Sequence, residues 1–502
     1  AAATYPAKYY KVCSRSNQHT AMATEGTPAA PERSTHVVLL ACPGTGHVLP
    51  VAELARRVAG LDGFTATLVT FTNFSSGDQY SSTFASLPPS VSTAVLPEVS
   101  IDDLPADARA ETRIIAVVRR ALPHFRDLLR SLLDSPAGVA AFVPDLFCPW
   151  ALEVSAEFGV PGYVFCPTNL MALSTILHTP ELDRTTTCEF RDLPDLIRLP
   201  GCVPLHGSEL LDTVQDRADP AYALVVDLAK LYLVNTFDAM EHETVAAFEE
   251  LSDEGVYPPA YAVGPFIRPR SEKSCEHSSL RWLDEQPAGS VLYVCFGSGG
   301  TLSREQTEEL AAGLEASGQR FLWVVQFPSD KDKSGAFFGD GGRGDGDSPV
   351  KYLPEGFVER TEGTGLAVPF WAPQVEILSH PAVGGFVSHC GWNSTLEAVA
   401  AGVPTVAWPL YAEQRMNAKM LSERAGMALR PEAREDGLVT RDEVAAVVRE
   451  LMAGEKGASA RKKARLLREE MAKGLVPDGR SRQAFEAVAG RWKAAGNGMA
   501  AA

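Results

Sequence analysis

The chain has 502 residues, 45% of them hydrophobic and 22% charged, which is typical of a globular protein too long for a single core. Its formal net charge of −17 argues against nucleic acid or an anionic membrane as a partner, because both are bound through basic surfaces. No apolar run reaches the length of about 18 residues that a membrane-spanning helix needs, so no membrane partner is expected.

The N-terminal residues and the cysteines indicate the cellular compartment in which the protein is expected. Residues 1–34 lack the continuous apolar segment of a signal peptide and are expected to be a disordered extension. Nine scattered cysteines without a C-x-x-C pair indicate a reducing compartment, with neither a disulfide framework nor a zinc site. We expect a cytoplasmic monomer.

The first half of the chain, residues 35–262, alternates strand-like apolar runs with helical patterns, which predicts a parallel α/β sheet. Strands are predicted at 36–42, 67–71, 139–148, 162–166 and 233–237, and helices at 48–59, 111–134 and 149–158. Residues 184–222 have no clear period, so a surface loop is expected there.

Residues 263–274 are charged and contain prolines, which predicts an interdomain linker. A second α/β series follows over 275–480, with strands at 290–296 and 321–325 and a helix at 304–317. Residues 481–502 are expected to form a helix that returns to the first half, and then a tail. Asp345-Gly346-Asp347 could be mistaken for a metal-binding D-x-D motif, but no strand leads into it, so we expect a solvated loop and no metal.

Residues 371–414 carry most of the chemical information. A short apolar strand ends at His389 and runs through a polar turn into a helix, which is the geometry that presents free backbone N–H groups and a positive dipole end to a phosphate. The indole of Trp371 can stack on a nucleobase, and His389, Asn393 and Ser394 can donate to phosphate oxygens. The carboxylate of Glu397 can accept from ribose hydroxyls.

This stretch resembles, almost residue for residue, the signature box of plant family 1 UDP-glycosyltransferases. The resemblance implies a GT-B fold, an α/β architecture of two Rossmann-like domains facing a cleft, with acceptors bound by 35–262 and the donor by 275–480. It implies that UDP-glucose is the donor substrate and that no cofactor or metal is needed. The residues implied to bind the UDP-sugar are Ser298, Gly299, Trp371, Ala372, Gln374, His389, Gly391, Trp392, Asn393, Ser394, Glu397, Glu413 and Gln414.

A second motif, Cys42-Pro43-Gly44-Thr45-Gly46-His47, follows the first predicted strand. Ligands of open parallel sheets bind beyond the carboxyl ends of strands, which is where His47 lies. A lone histidine at such a place is more often structural. The family resemblance implies instead that His47 is the general base of an inverting transfer and that Asp145 orients it. An acid in the apolar run around Asp145 is costly unless it is paired.

The acceptor is expected to be a small phenol. The sequence is most similar to the family branch that glucosylates simple phenols and phenylpropanoids, such as hydroquinone and monolignols, on the residues at 145–147, 296–302 and 408–418. By analogy, the residues expected to line the acceptor pocket are Glu111, Ile114, Leu146, Phe147, Phe165 and Asn169.

Three alternatives stay open to different degrees. A C-glycosyltransferase would use the same dyad on a phenol ring carbon, and the sequence hardly separates it from O-transfer. An NAD(P)-dependent oxidoreductase would need a G-x-G-x-x-G fingerprint, which is absent after the first strand. A non-catalytic nucleotide-sugar-binding protein would typically lose His47 or Asp145, and both are present.

Overall fold

The computed structural model describes residues 34–74, 80–105, 108–218, 222, 231–270, 277–331, 333–334 and 348–499. Parts of several sequence-based expectations therefore fall outside the described residues. They are the N-terminal extension up to residue 33, residues 219–221 of the expected loop, residues 271–274 of the expected linker, the Asp345-Gly346-Asp347 motif, and residues 500–502 of the expected tail.

The first half is built on parallel strands. A four-stranded sheet has the order β3-β2-β1-β4, and a three-stranded sheet has the order β5-β6-β7. Single bridges from Phe142 to Gly162 and from Asp145 to Phe165 join β4 to β5. The strands are β1 (Thr35–Leu40), β2 (Phe64–Phe71), β3 (Val91–Leu96), β4 (Ala141–Pro144), β5 (Val164–Cys166), β6 (Tyr232–Val234) and β7 (Ala260–Ala262).

Helices cover both faces of this half, which is why β1 and β4 are buried along their whole length. The helices are α1 (Thr45–Ala59), α2 (Ser81–Ala85), α3 (Ala110–Leu133), α4 (Ala151–Glu157), α5 (Leu170–Thr185) and α6 (His242–Asp253).

The second half is a six-stranded parallel sheet of order β10-β9-β8-β11-β12-β13. Its strands are β8 (Val291–Cys295), β9 (Arg320–Val325), β10 (Gly365–Pro369), β11 (Val383–Ser388), β12 (Thr405–Ala407) and β13 (Ala428–Leu429). Its helices are α7 (Ser278–Asp284), α8 (Arg304–Ser317), α9 (Phe357–Arg360), α10 (Gln374–Leu378), α11 (Trp392–Ala401), α12 (Gln414–Lys419), α13 (Arg441–Ala453) and α14 (Glu455–Leu475).

The strand order reverses beside the first strand of each half, between β1 and β4 and between β8 and β11. Open α/β sheets bind their ligands in the crevice at such a switch point, beyond the carboxyl ends of the strands. The topology alone therefore predicts a ligand site among the loops that follow these four strands.

The last helix, α15 (Arg480–Met499), leaves the second half and packs against β1, β4 and β7. Its Phe485, Val488 and Trp492 side chains are fully buried in the first-half core. The chain end therefore contributes to the core of the half in which the chain began. Among the helices that the described residues form, none combines the length and the hydropathy needed to cross a membrane.

The expectation of a surface loop at 184–222 was wrong for residues 197–218, most of which are buried or half-buried, whereas residues 184–196 are mostly exposed. Phe190, Leu205, Leu210 and Val214 have no exposed side-chain surface, and the segment contains three single-turn 3₁₀ helices. Such short turns have neither the period of 2 nor the period of 3.6 that sequence patterns reveal. Contacts with remote elements, rather than local periodicity, bury this segment.

Candidate active site

A cavity of about 350 Å³ lies between the two halves at their switch points. It is bounded by the loop after β1, the start of α3, the loops after β8 and β11, and the turn before α12. The predicted site residues that line it are His47, Glu111, Ile114, Leu146, Phe147, Ser298, Trp371, Ala372, Gln374, His389, Gly391, Trp392, Asn393, Ser394, Glu397, Glu413 and Gln414.

His47 lines the cavity and forms a hydrogen-bonded dyad with Asp145, which lies behind the cavity wall. The Nδ1 atom of His47 lies 2.9 Å from Oδ2 of Asp145, and the other carboxylate oxygen accepts from the backbone N–H of Phe147 at 2.9 Å. Because a carboxylate only accepts, Nδ1 carries the proton and Nε2 is left as the basic atom. Asp145 is completely buried, and the ring of Phe147 contacts the imidazole edge-on. The imidazole is therefore fixed in tautomer and orientation.

The electrostatic surroundings of the dyad favour a basic imidazole. Burial lowers the pKa of His47, but Asp145, Glu413 and Glu111 outweigh it and leave that pKa above its ordinary value. Burial and the Asp145 carboxylate raise the pKa of the Cys42 thiol, so this neighbour stays protonated. In the described part of the chain, Cys42, His47 and Asp145 each have an atom of a kind that can bind a metal ion, and these atoms lie within 4.8 Å of one another. That the transfer needs no metal therefore stays a prediction.

His389 lies at the end of β11 between two glycines. A Cβ atom built on Gly297 would lie 2.5 Å from Nε2 of His389, and one built on Gly391 would lie 2.4 Å from the same atom. Burial lowers the pKa of His389 to about 4, so the ring is neutral, and its Nδ1 has no hydrogen-bond partner among the described residues. A neutral imidazole at the N-terminus of α11 can donate one hydrogen bond to a phosphate oxygen.

The far end of the cavity combines a flat ring with a hydrogen-bonded acid. Trp371 is 58% exposed, so its indole face is open. The side-chain amide of Gln374 donates to Glu397 and to Ser394, each at 2.8 Å. Burial raises the pKa of Glu397. The exposed indole and the half-buried carboxylate of Glu397 suit a nucleobase and its ribose.

Glu413 and Gln414 lie near the dyad at the start of α12. Oε1 of Gln414 accepts from the backbone N–H groups of Leu410 and Tyr411 at 2.9 and 3.0 Å, which leaves its NH₂ group for a ligand. The hydroxyl of Thr168 donates to Glu413 at 3.3 Å across the cleft. An acceptor and a donor thus lie side by side, as hydroxyls of a sugar require.

Comparisons with known proteins agree with this geometry. The model of the family described as UDP-glucoronosyl and UDP-glucosyl transferase matches residues 268–458. The chain is 45% identical over 469 residues to the hydroquinone glucosyltransferase of Rauvolfia serpentina. The aligned residues cover 92% of this chain and 98% of that protein. The chain belongs to the plant family 1 UDP-glycosyltransferases. The predicted family and branch are confirmed, and the chain is a UDP-glucosyltransferase.

Two solved structures of this family are similar over nearly the whole chain. A UDP-glucosyltransferase from Polygonum tinctorium capable of glucosylating indoxyl, in complex with 3,4-dichloroaniline, has a TM-score of 0.83 and 43% identity, covering 92% of this chain and 99% of that one. UGT2 of Phytolacca americana, complexed with UDP-2-fluoro-glucose and pterostilbene, has a TM-score of 0.81 and 41% identity, covering 91% and 99%. The GT-B fold is likewise confirmed.

Three of the residues expected to bind the donor or the acceptor do not line the cavity of this UDP-glycosyltransferase. Phe165 is on β5 and packs edge-on against Phe266 in the core. Asn169 is the N-cap of α5, accepting from the N–H of Ala172 at 2.8 Å. Gly299 is buried behind the turn that exposes Ser298. Phe165 and Asn169 are therefore removed from the residues expected to line the acceptor pocket.

The reason for this correction is positional. Residues 165–169 leave a strand and enter a helix, so both ends of the segment are fixed by secondary structure. Pro167 and Thr168, between them, are the ones that line the cavity. The sequence identified the correct segment but not which of its side chains are free to face a ligand.

The UDP-glycosyltransferase cavity also has contributors that sequence reasoning missed. Arg268, in the predicted linker, lines the cavity and pairs with Glu376 at 3.4 Å. Leu211, Asp212 and Thr213 line it from the segment that was expected to be a surface loop. The only sequence signal available was Arg268 itself, one of two arginines in the proline-containing linker.

Two family signature residues bridge the halves of the enzyme. The indole N–H of Trp392 donates to the backbone oxygen of Asn235 at 2.6 Å. The side-chain amide of Asn393 donates to the backbone oxygen of Gly46 at 3.0 Å, one residue before His47. The donor-side turn is thereby held directly against the loop that carries the dyad.

Proposed function

We propose that this enzyme transfers glucose from UDP-glucose to the hydroxyl of a small phenol with inversion at the anomeric carbon and without a metal. The observation that carries the proposal is the 2.9 Å contact between His47 and Asp145 at a cavity that Glu413 and Gln414 also line. The dyad faces the place where a sugar and an acceptor would meet.

In the proposed reaction, Nε2 of His47 takes the proton from the acceptor hydroxyl. The oxygen forms a bond to the anomeric carbon as the bond from that carbon to the diphosphate breaks, and UDP leaves with the electron pair. Asp145 stabilises the imidazolium that forms. His389, Asn393, Ser394 and the N-terminus of α11 stabilise the leaving diphosphate.

The acceptor side of the cavity supports a phenol. Ile114, Leu146 and Phe147 provide apolar walls, and Glu111 provides a polar end. A flat ring with one hydroxyl fits such a slot when its hydroxyl points at His47. Hydroquinone, indoxyl and pterostilbene, associated with the similar proteins, are all aromatic hydroxyl compounds.

The proposal is tested by mass spectrometry of products formed from UDP-glucose and a panel of phenols in the presence of EDTA. Wild-type protein is expected to give O-glucosides, which lose a whole hexose on fragmentation. Cross-ring losses would instead identify a C-glycoside. Loss of activity on chelation, restored by a divalent cation, would overturn metal-free transfer.

His47→Ala is expected to lower kcat by about 10²–10⁴-fold, the usual contribution of a positioned base, with UDP-glucose binding retained. His242→Ala is the matched control, because His242 forms a second His–Asp pair, 3.2 Å from Asp238, on the exposed surface. Wild-type turnover in His47→Ala would remove the base assignment.

A further inference from the structure

Asp212 connects the first half of the enzyme to the turn that carries the two residues expected to hold the donor sugar. It begins the 3₁₀ helix Asp212–Val214 and lines the cavity. Its Oδ2 atom accepts from the backbone N–H of Ala412 at 2.6 Å, and its Oδ1 atom accepts from the guanidinium of Arg415. One carboxylate thus holds both sides of the Glu413–Gln414 pair.

The residue that Asp212 holds is in an unusual backbone conformation. Ala412 has a φ of 56°, in the left-handed region that costs every residue except glycine conformational energy. Glu413 follows immediately and is the N-cap of α12, so the conformation of Ala412 sets the direction in which both side chains leave the backbone. A strained residue persists only where its surroundings fix it, and a charge-assisted hydrogen bond to its N–H does so.

We propose that Asp212 is a positioning residue for the donor sugar, acting through Ala412 and Arg415 to aim Glu413 and Gln414 at the sugar hydroxyls. This inference rests on the proposed transfer from a UDP-sugar. On this proposal, the sugar site depends on a residue of the first half. The residues expected to bind the uracil, the ribose and the diphosphate all belong to the second half.

A neighbouring ion pair shows what a merely structural contact looks like here. Glu209 accepts from Lys419 at 2.9 Å and lies 3.4 Å from Arg430, also between the two halves. Neither Glu209 nor Lys419 lines the cavity. Glu209→Gln therefore weakens a comparable contact between the halves without touching the turn, and it serves as the matched control.

The test compares Asp212→Ala, Asp212→Asn and Glu209→Gln by calorimetric binding of UDP and of UDP-glucose, and by kcat/KM with UDP-glucose and UDP-galactose. Asp212→Ala is expected to lower kcat/KM for UDP-glucose by about tenfold or more, since small misplacements of orienting groups cost rate steeply. We expect the ratio of its kcat/KM for UDP-glucose to its kcat/KM for UDP-galactose to fall. Its affinity for UDP is expected to stay at the wild-type value. Asp212→Asn keeps an oxygen for the Ala412 N–H and is expected to recover part of the loss.

Wild-type kinetics and sugar preference in Asp212→Ala would overturn the inference. So would a parallel loss of UDP affinity, or an equal loss in Glu209→Gln, because either would indicate general damage to the cleft. The binding comparison needs no acceptor. If wild-type protein transfers sugar to no phenol, the proposed function fails, but the difference between UDP and UDP-glucose affinity still decides the role of Asp212.

Discussion

At the residue scale, the base strength of His47 is set by charges that surround it on several sides. Asp145 contacts Nδ1 directly, whereas Glu413 on the donor side and Glu111 on α3 act through space, and all three raise the pKa of His47 against the effect of burial. In the proposed reaction His47 is the general base, and a general base works only when it is unprotonated. Activity is therefore expected to rise with pH through the raised pKa of His47 and to fall below it.

Glu111→Gln removes one of these negative charges and should lower the pKa of His47, so the neutral base persists to lower pH. The acidic limb of the kcat/KM profile is expected to move towards acid by about 0.5 pH, a modest through-space effect. The measurement is the pH profile with a weakly acidic phenol. Glu98→Gln, at an exposed site outside the cavity, is the control. A limb that stays in place or moves to higher pH would contradict this account.

At the element scale, the connection from β8 to its turn is shaped to accommodate a side chain from another strand. Gly297 has a φ of 78°, and its missing side chain leaves the space that the His389 ring occupies at the end of β11. The neighbouring strands β8 and β11 thus bring a glycine and a histidine into contact at their carboxyl ends. Glycine is required here for both its conformation and its size.

Gly297→Ala is expected to displace His389 and to raise KM for UDP-glucose by about tenfold or more, because the imidazole proposed to donate to the phosphate loses its position. Gly318→Ala separates the effect of backbone strain from that of a clash with His389. Gly318 also has a positive φ, 69°, but its Cβ would meet no atom within 4 Å. Calorimetric binding of UDP to both variants is the measurement. Equal weakening in the two variants would mean that backbone strain, rather than contact with His389, is responsible.

At the scale of the whole molecule, the halves are joined by the chain end as well as by the linker. Arg57 on α1 donates to the backbone oxygens of Val263 and Pro265 at 2.7 and 2.6 Å. Its guanidinium lies 4.1 Å from the ring centroid of Phe266. Trp492 of α15 is completely buried in the same core cluster. The first half therefore depends on residues more than 400 positions after its first strand.

Trp492→Ala is expected to lower the free energy of unfolding by about 3–5 kcal/mol, the usual cost of removing a large buried aromatic side chain. Urea denaturation followed by circular dichroism measures it. Leu466→Ala on α14, where the side chain is 46% exposed, is expected to change it little. Equal stability of the two variants would show that α15 is not part of the first-half core.

The sequence by itself determined the features that neighbouring residues encode. The stretch from Trp371 to Gln414 could be recognised because the residues expected to bind the donor lie close together in the sequence. In the structure they belong to the helices α10, α11 and α12 and to the loops before them. The family resemblance implied the pairing of His47 with Asp145. The position of each residue after an apolar strand agrees with it, because parallel strands present their carboxyl ends at one edge. Local pattern and family resemblance were sufficient for the architecture, and most of the predicted site residues do line the cavity.

Only the tertiary structure decided which side chains meet across the cleft. Asp212 lies in a segment without periodicity and contacts Ala412 and Arg415, about 200 positions later. Thr168 faces the cavity whereas Phe165 and Asn169 do not, because the β5 and α5 backbones direct those two inward. Periodicity records contacts within a turn or a strand. Contacts between distant segments depend on how the two sheets are held together, and no local pattern records that.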